Sequence, residues 1–189
     1  IDHPPGTDEH SDAVYATGRK NLLDMVERKL LVPDLEPCLY VYAQKMGQHE
    51  QAGIVACAAV ADYEADRIKK HEKTRPDKED DRTKHILTLE AHDEPVFLTY
   101  RADPGIDAAV AKVMAGKPVY DFASADGVHH RLWVLPNDKS LALARQFDAA
   151  VGDLYVADGH HRSAAAARAH RELRGDGREH DVFLAVVFP

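Results

Sequence analysis

The stretch Leu154-Tyr155-Val156-Ala157-Asp158-Gly159-His160-His161-Arg162-Ser163, continued by Ala164-Ala165-Ala166-Ala167, constrains the fold most. A short apolar run reads as a strand, a polar turn follows, and an Ala-rich segment reads as a helix. At such a junction the first backbone N–H groups of the helix are free, and the helix dipole favours an anion beside them. Gly159 permits a positive φ and lets a ligand come close to the backbone. Arg162 offers a guanidinium fork that suits a phosphate or a carboxylate. The small Ala side chains let the helix lie near a sheet.

Four readings of the 158–162 turn compete. Backbone amides, Arg162 and one imidazole can hold a phosphate. One histidine can act as a general base while Asp158 orients the other. A metal ion can sit on His160 or His161, but adjacent residues point about 100° apart on a helix, so one ion rarely takes both. The plain alternative is an Asp-Gly turn that starts a helix and carries two surface histidines.

A second constellation runs from Lys69 to Arg82. Asp77, Asp81 and His85 follow each other at intervals of four and share one helix face. Acids in a first helical turn suit the dipole without any further role. Glu72 and Arg75 precede them in a loop with Lys70, His71 and Thr74. That loop lacks helical charge pairing, which suits it to facing an anionic ligand or holding magnesium through water.

The rest of the chain alternates helices and strands. The spacing predicts a helix over 13–31 capped by Ser11 or Asp12 and ended by Pro33. Strands at 38–43 and 52–60 form a hairpin, and Asp62 caps a short helix through Lys70. A helix reaches about Ala91, a strand covers 95–100, and a helix over 107–115 is closed by Gly116. Strands 119–122 and 130–135 pair around Asp126-Gly127. Asn137 or Asp138 caps a helix that runs to Ala150. The Ala-rich helix reaches about Arg174, followed by a Gly175-Asp176-Gly177 turn and a last strand. Early hairpins and a late strand–helix–strand unit give an α+β (mixed α/β) class.

The 189 residues read as one domain with a flexible lead-in over 1–11. The apolar run at 182–187 stands at the end of the sequence, so the chain reads as a fragment of a longer protein. A formal net charge of −8 argues against a general nucleic-acid binder. No run has transmembrane length and no signal-peptide pattern is present, so no membrane partner and a cytoplasmic setting are expected. Cys38 and Cys57, both in apolar runs, read as buried free thiols.

The segments at 68–82 and 155–162 resemble the bacterial and archaeal proteins grouped as domain of unknown function 1015. Pro4-Pro5-Gly6-Thr7, Ser11-Asp12-Ala13-Val14-Tyr15 and Gly53-Ile54-Val55-Ala56-Cys57, running on to Asp62-Tyr63-Glu64, fit as well. The resemblance covers essentially the whole chain, and family members are about twice as long. More distantly, the Asp-Gly-His-His-Arg turn is similar to the phosphate-binding turn of the ParB and sulfiredoxin superfamily, which includes free-serine kinases. That likeness implies Gly159, His160, His161 and Arg162 as phosphate contacts, with Asp158 orienting the turn or helping to hold a metal ion. His160 and His161 stand where sulfiredoxins carry a catalytic Cys, which argues against sulfinic-acid repair.

The expectation is a nucleotide-binding phosphotransferase or nucleotide hydrolase acting on a small metabolite, with ATP or ADP and Mg2+. His160, His161 or Glu72 serves as the proton acceptor, Arg75 joins the phosphate contacts, and Asp77 and Asp81 are the metal candidates. A non-catalytic nucleotide or anion sensor is the alternative. A metal-dependent hydrolase built on a histidine with Asp77 and Asp81 is a further one. The sequence leaves the substrate and the oligomeric state open.

Overall fold

The computed structural model describes residues 6–173 and 179–189. The Gly175-Asp176-Gly177 turn, a helix end at Arg174 and the first five residues of the lead-in lie outside the described residues.

Period-2 burial builds the strands. In β1 (Leu39–Met46), Val41 and Ala43 are buried while Tyr40, Tyr42 and Gln44 stay partly open. Gly47, at φ 59°, turns the chain into β2 (His49–Ala59). β5 (Tyr120–Ala123) and β6 (His129–Leu135) form a second hairpin around Gly127, at φ 83°. The other strands are β3 (Ile68–Lys69), β4 (Val96–Thr99), β7 (Leu154–Asp158) and β8 (Val182–Phe188). They make one eight-stranded sheet in the order β3-β7-β4-β8-β2-β1-β6-β5.

Most neighbours are antiparallel, but β3 runs parallel to β7 and β4 parallel to β8. β7 is antiparallel to β4. The late strand–helix–strand unit therefore places β7 and β8 on either side of β4, running in opposite directions. The class is α+β with a mixed sheet.

Helices α4 (Pro104–Met114) and α5 (Asn137–Ala150) pack together, and α4 covers β1, β2 and β6. α6 (His160–Glu172) lies on β4 and β8. α2 (Val60–Glu64) and α3 (Pro76–Leu89) pack on α6, and α1 (Asp12–Glu27) packs on α3. One core joins these groups, with Val41, Ile54, Leu98, Trp133, Phe183 and Ala185 from the sheet meeting Ile106, Leu143, Ala166 and Ala167 from the helices. Among the described residues no helix is long and apolar enough to cross a membrane.

Several expectations shift. α1 stops at Glu27 rather than near Leu31. Only Tyr15 of this helix is buried, so no packing holds a further turn, and Lys29 takes a left-handed φ of 57°. Asp62 sits inside the first turn of α2 instead of capping it, and accepts from Arg67 at 3.2 Å. The helix expected to reach Lys70 ends at Glu64, because Ile68 and Lys69 extend to pair with Leu154 and Tyr155. α4 begins earlier than expected, at Pro104. There the Asp103 carboxylate accepts the amides of Gly105 and Ile106 at 2.9 and 3.0 Å. The cysteines are free but not buried: Cys38 is half-buried and Cys57 is exposed. The alternation of β2 turns Ile54, Ala56 and Ala58 to the core and Cys57 to the other face.

Candidate functional site

Two strand–loop–helix units lie side by side. β3 leads through the 70–75 loop into α3, and β7 leads through Gly159 into α6. The strands are parallel and the helices pack along each other. Arg75 meets His161 at the helix starts and Asp80 pairs with Arg168 further along, so both helices advance in the same direction. This geometry brings together the two constellations read from the sequence.

Gly159 is the N-cap of α6 at φ 95°, a left-handed conformation that L side chains rarely adopt. No side chain caps this helix, so its first N–H groups have no side-chain acceptor. A Cβ at Gly159 would stand 3.1 Å from Arg162 Nε, because the guanidinium lies over the turn. There Arg162 donates to the Asp158 carboxylate and to the Pro95 carbonyl, and its Nε lies 4.0 Å from Glu94. Asp158 and Arg162 thus clamp the turn to the start of β4. The fork expected to face a phosphate is spent on shaping the turn.

His160 and His161 diverge, as their adjacency requires. The His160 side chain is 5% exposed, with Nδ1 3.7 Å from Glu72 Oε2. That spacing is an ion-pair distance, longer than a hydrogen bond. The His71 ring packs edge-on against it at 4.3 Å between centroids. His160 Nε2 is buried with no hydrogen-bond partner among the described residues. Burial, and then the neighbouring His71, hold this imidazole below the ordinary histidine value, against the pull of Glu72 and Asp158. His161 Nε2 accepts the backbone N–H of Arg75 at 3.2 Å across 86 residues of chain. A nitrogen that accepts carries no proton, so the ring's proton sits on Nδ1.

The remaining candidates point elsewhere. Arg75 turns its guanidinium to Asp77, with Nη2 to Oδ2 at 2.7 Å. That partner holds the Asp77 carboxyl below the usual range. Asp81 accepts from Tyr15 Oη and lies 2.8 Å from His10 Nδ1. His85 Nε2 lies 3.1 Å from the Asp93 carboxylate. The shared helix face therefore resolves into three separate pairings. Among the described residues no group of three or more His, Cys, Asp or Glu side chains is placed to hold a metal ion. Asp77 and Asp81 do not fit a shared magnesium ion, and a hydrolase built on them has no support in this arrangement.

Sequence reasoning did not select His71 as a site residue, or Pro95, Glu94, Tyr15 and His10 as partners. His71 stood inside the loop already singled out. The others are brought in by the fold and carry no local signal.

A family model described as "Protein of unknown function (DUF1015)" matches residues 1–189. No curated protein matches the chain, and no solved structure does.

Proposed function

We propose that this chain, which belongs to the DUF1015 family of proteins of unknown function, binds a nucleotide through its phosphates and transfers a phosphoryl group to a small metabolite. The binding place is the junction of α6 and the 70–75 loop. One observation carries the reading. A helix start with no side-chain cap is held against a loop from the neighbouring strand–loop–helix unit, and an exposed carboxylate, Glu72, lies beside the buried His160 imidazole between them.

The free N–H groups of α6 and its dipole supply a phosphate cradle. Arg162 and Asp158 fix the path of the turn. Glu72 beside His160 Nδ1 favours the tautomer with its proton on that nitrogen, leaving Nε2 as an acceptor. In the transfer, a metabolite hydroxyl attacks the terminal phosphorus and the bond to the bridging oxygen breaks. The nucleoside diphosphate leaves, and the exposed Glu72 carboxylate, held beside His160 Nδ1, takes the hydroxyl proton. Such a step depends on positioning and charge stabilisation more than on covalent chemistry. The distant likeness of this turn to the ParB and sulfiredoxin superfamily favours the same class.

A non-catalytic nucleotide sensor is the second reading. The near-complete burial of His160 favours it, because an enclosed imidazole suits holding the loop as well as moving a proton. The test is thermal. ATP, ADP or CTP with magnesium raises the melting temperature of the wild-type protein, and Arg162→Ala removes the rise. No rise with any of the three overturns the proposal. Glu72→Gln then separates the two readings: an enzyme loses turnover and keeps the rise, whereas a sensor shows no turnover in either form.

A further inference from the structure

A cavity of about 290 Å³ lies between α5 and the middle of the sheet, lined by no residue of the α6 turn or of the 70–75 loop. Small side chains create it. Ala56 and Ala58 on β2 and Ala144 on α5 leave open the space between Ile54, Leu143 and Phe147. Interiors are otherwise close-packed, and a void deprives its lining of contacts. An apolar cavity of roughly 150 Å³ is enough to take up benzene. This one approaches twice that volume, the room a fused pair of rings needs.

The opening is charged. Half-buried Asp62 and exposed Arg67 and Asp148 stand at it, with Arg67 3.2 Å from Asp62 and 4.0 Å from Asp148. One guanidinium against two carboxylates leaves the mouth negative, and the long contact to Asp148 leaves that acid the freer of the two. A carboxylate is repelled there and an ammonium is attracted.

We propose that this cavity binds a small aromatic amine, its rings against Leu143 and Phe147 and its ammonium at Asp148. The site is independent of the phosphate site. Leu154 lines the cavity at the start of β7, while Asp158 ends the same strand about 13 Å away at the usual rise per residue.

Calorimetric titration with tryptamine, indole and indole-3-propionate tests this. Tryptamine binds about two- to fivefold tighter than indole, as one exposed ion pair allows, and the acid binds weakest. At ten times its dissociation constant tryptamine raises the melting temperature by about 4 °C. Ala58→Leu or, should that variant not fold, Ala144→Leu fills the cavity and abolishes binding. Asp148→Asn brings tryptamine down to the affinity of indole and leaves indole unchanged. Three results overturn the proposal: no binding by any of the three, the acid binding as well as the amine, or binding that survives in a folded cavity-filling variant.

Discussion

Gly159 carries two constraints at once, a φ of 95° and a guanidinium where a Cβ would go. Gly159→Ala therefore costs about 1–3 kcal/mol in chemical denaturation, from backbone strain plus displacement of Arg162. A loss below about 0.5 kcal/mol contradicts the geometry of the turn. His160 sets a pH dependence. Its folded value lies below the ordinary 6.5, chiefly through burial, so the unfolded chain takes up the proton first as pH falls. Its contribution is complete above 6.5 and is lost as pH drops through its folded value. His92, also lowered by burial, acts with the same sign. Unfolding free energy measured from pH 8 to pH 5 thus falls on the acid side, and His160→Gln makes the fall shallower. An unchanged slope in that variant contradicts the burial argument. Asp81 acts in a lower window. Burial raises its carboxyl, but the Tyr15 and His10 bonds prevail and hold it below the ordinary 3.8, so its share is lost only under stronger acid.

At the level of elements, the hydrogen bond from the Arg75 amide to His161 is the latch between the 70–75 loop and α6. His161→Ala removes the acceptor, and the Arg75 amide then exchanges faster with solvent while the core strands β2 and β8 keep their protection. Equal exchange in both proteins shows that the loop is held by other contacts. Asp103→Ala removes two bonds to the first turn of α4 and lowers stability by about 1 kcal/mol. Elements with strong local patterns were legible in the sequence. β7, Gly159 and α6 announce themselves by an apolar run, a turn residue and an Ala run, and both hairpins show alternation around Gly. β3 was not legible, because Ile68 and Lys69 are strand only through pairing with β7, and two residues carry no period. The limits of α1 and α2 depend on packing that propensity does not contain. The exposure of Cys57 follows from which face of β2 the helices cover.

For the whole molecule, the sheet order decides what the site can be. Both constellations were visible as motifs, but their meeting depends on β3 lying parallel to β7 at one edge of the sheet. The sequence spacing that grouped Asp77 with Asp81 ignored α1, whose Tyr15 takes Asp81 for itself. The spacing that aimed Arg162 at a ligand ignored β4, whose approach at Pro95 draws it inward. What remains is a phosphate cradle made from the start of α6 and the loop before α3. Backbone amide resonances titrated with ATP and magnesium test that claim most directly. The account predicts the largest shifts at His160, His161, Arg162 and Arg75, with β5 and β6 at the far edge of the sheet unmoved. Saturable shifts that leave these four amides in place and gather elsewhere contradict it.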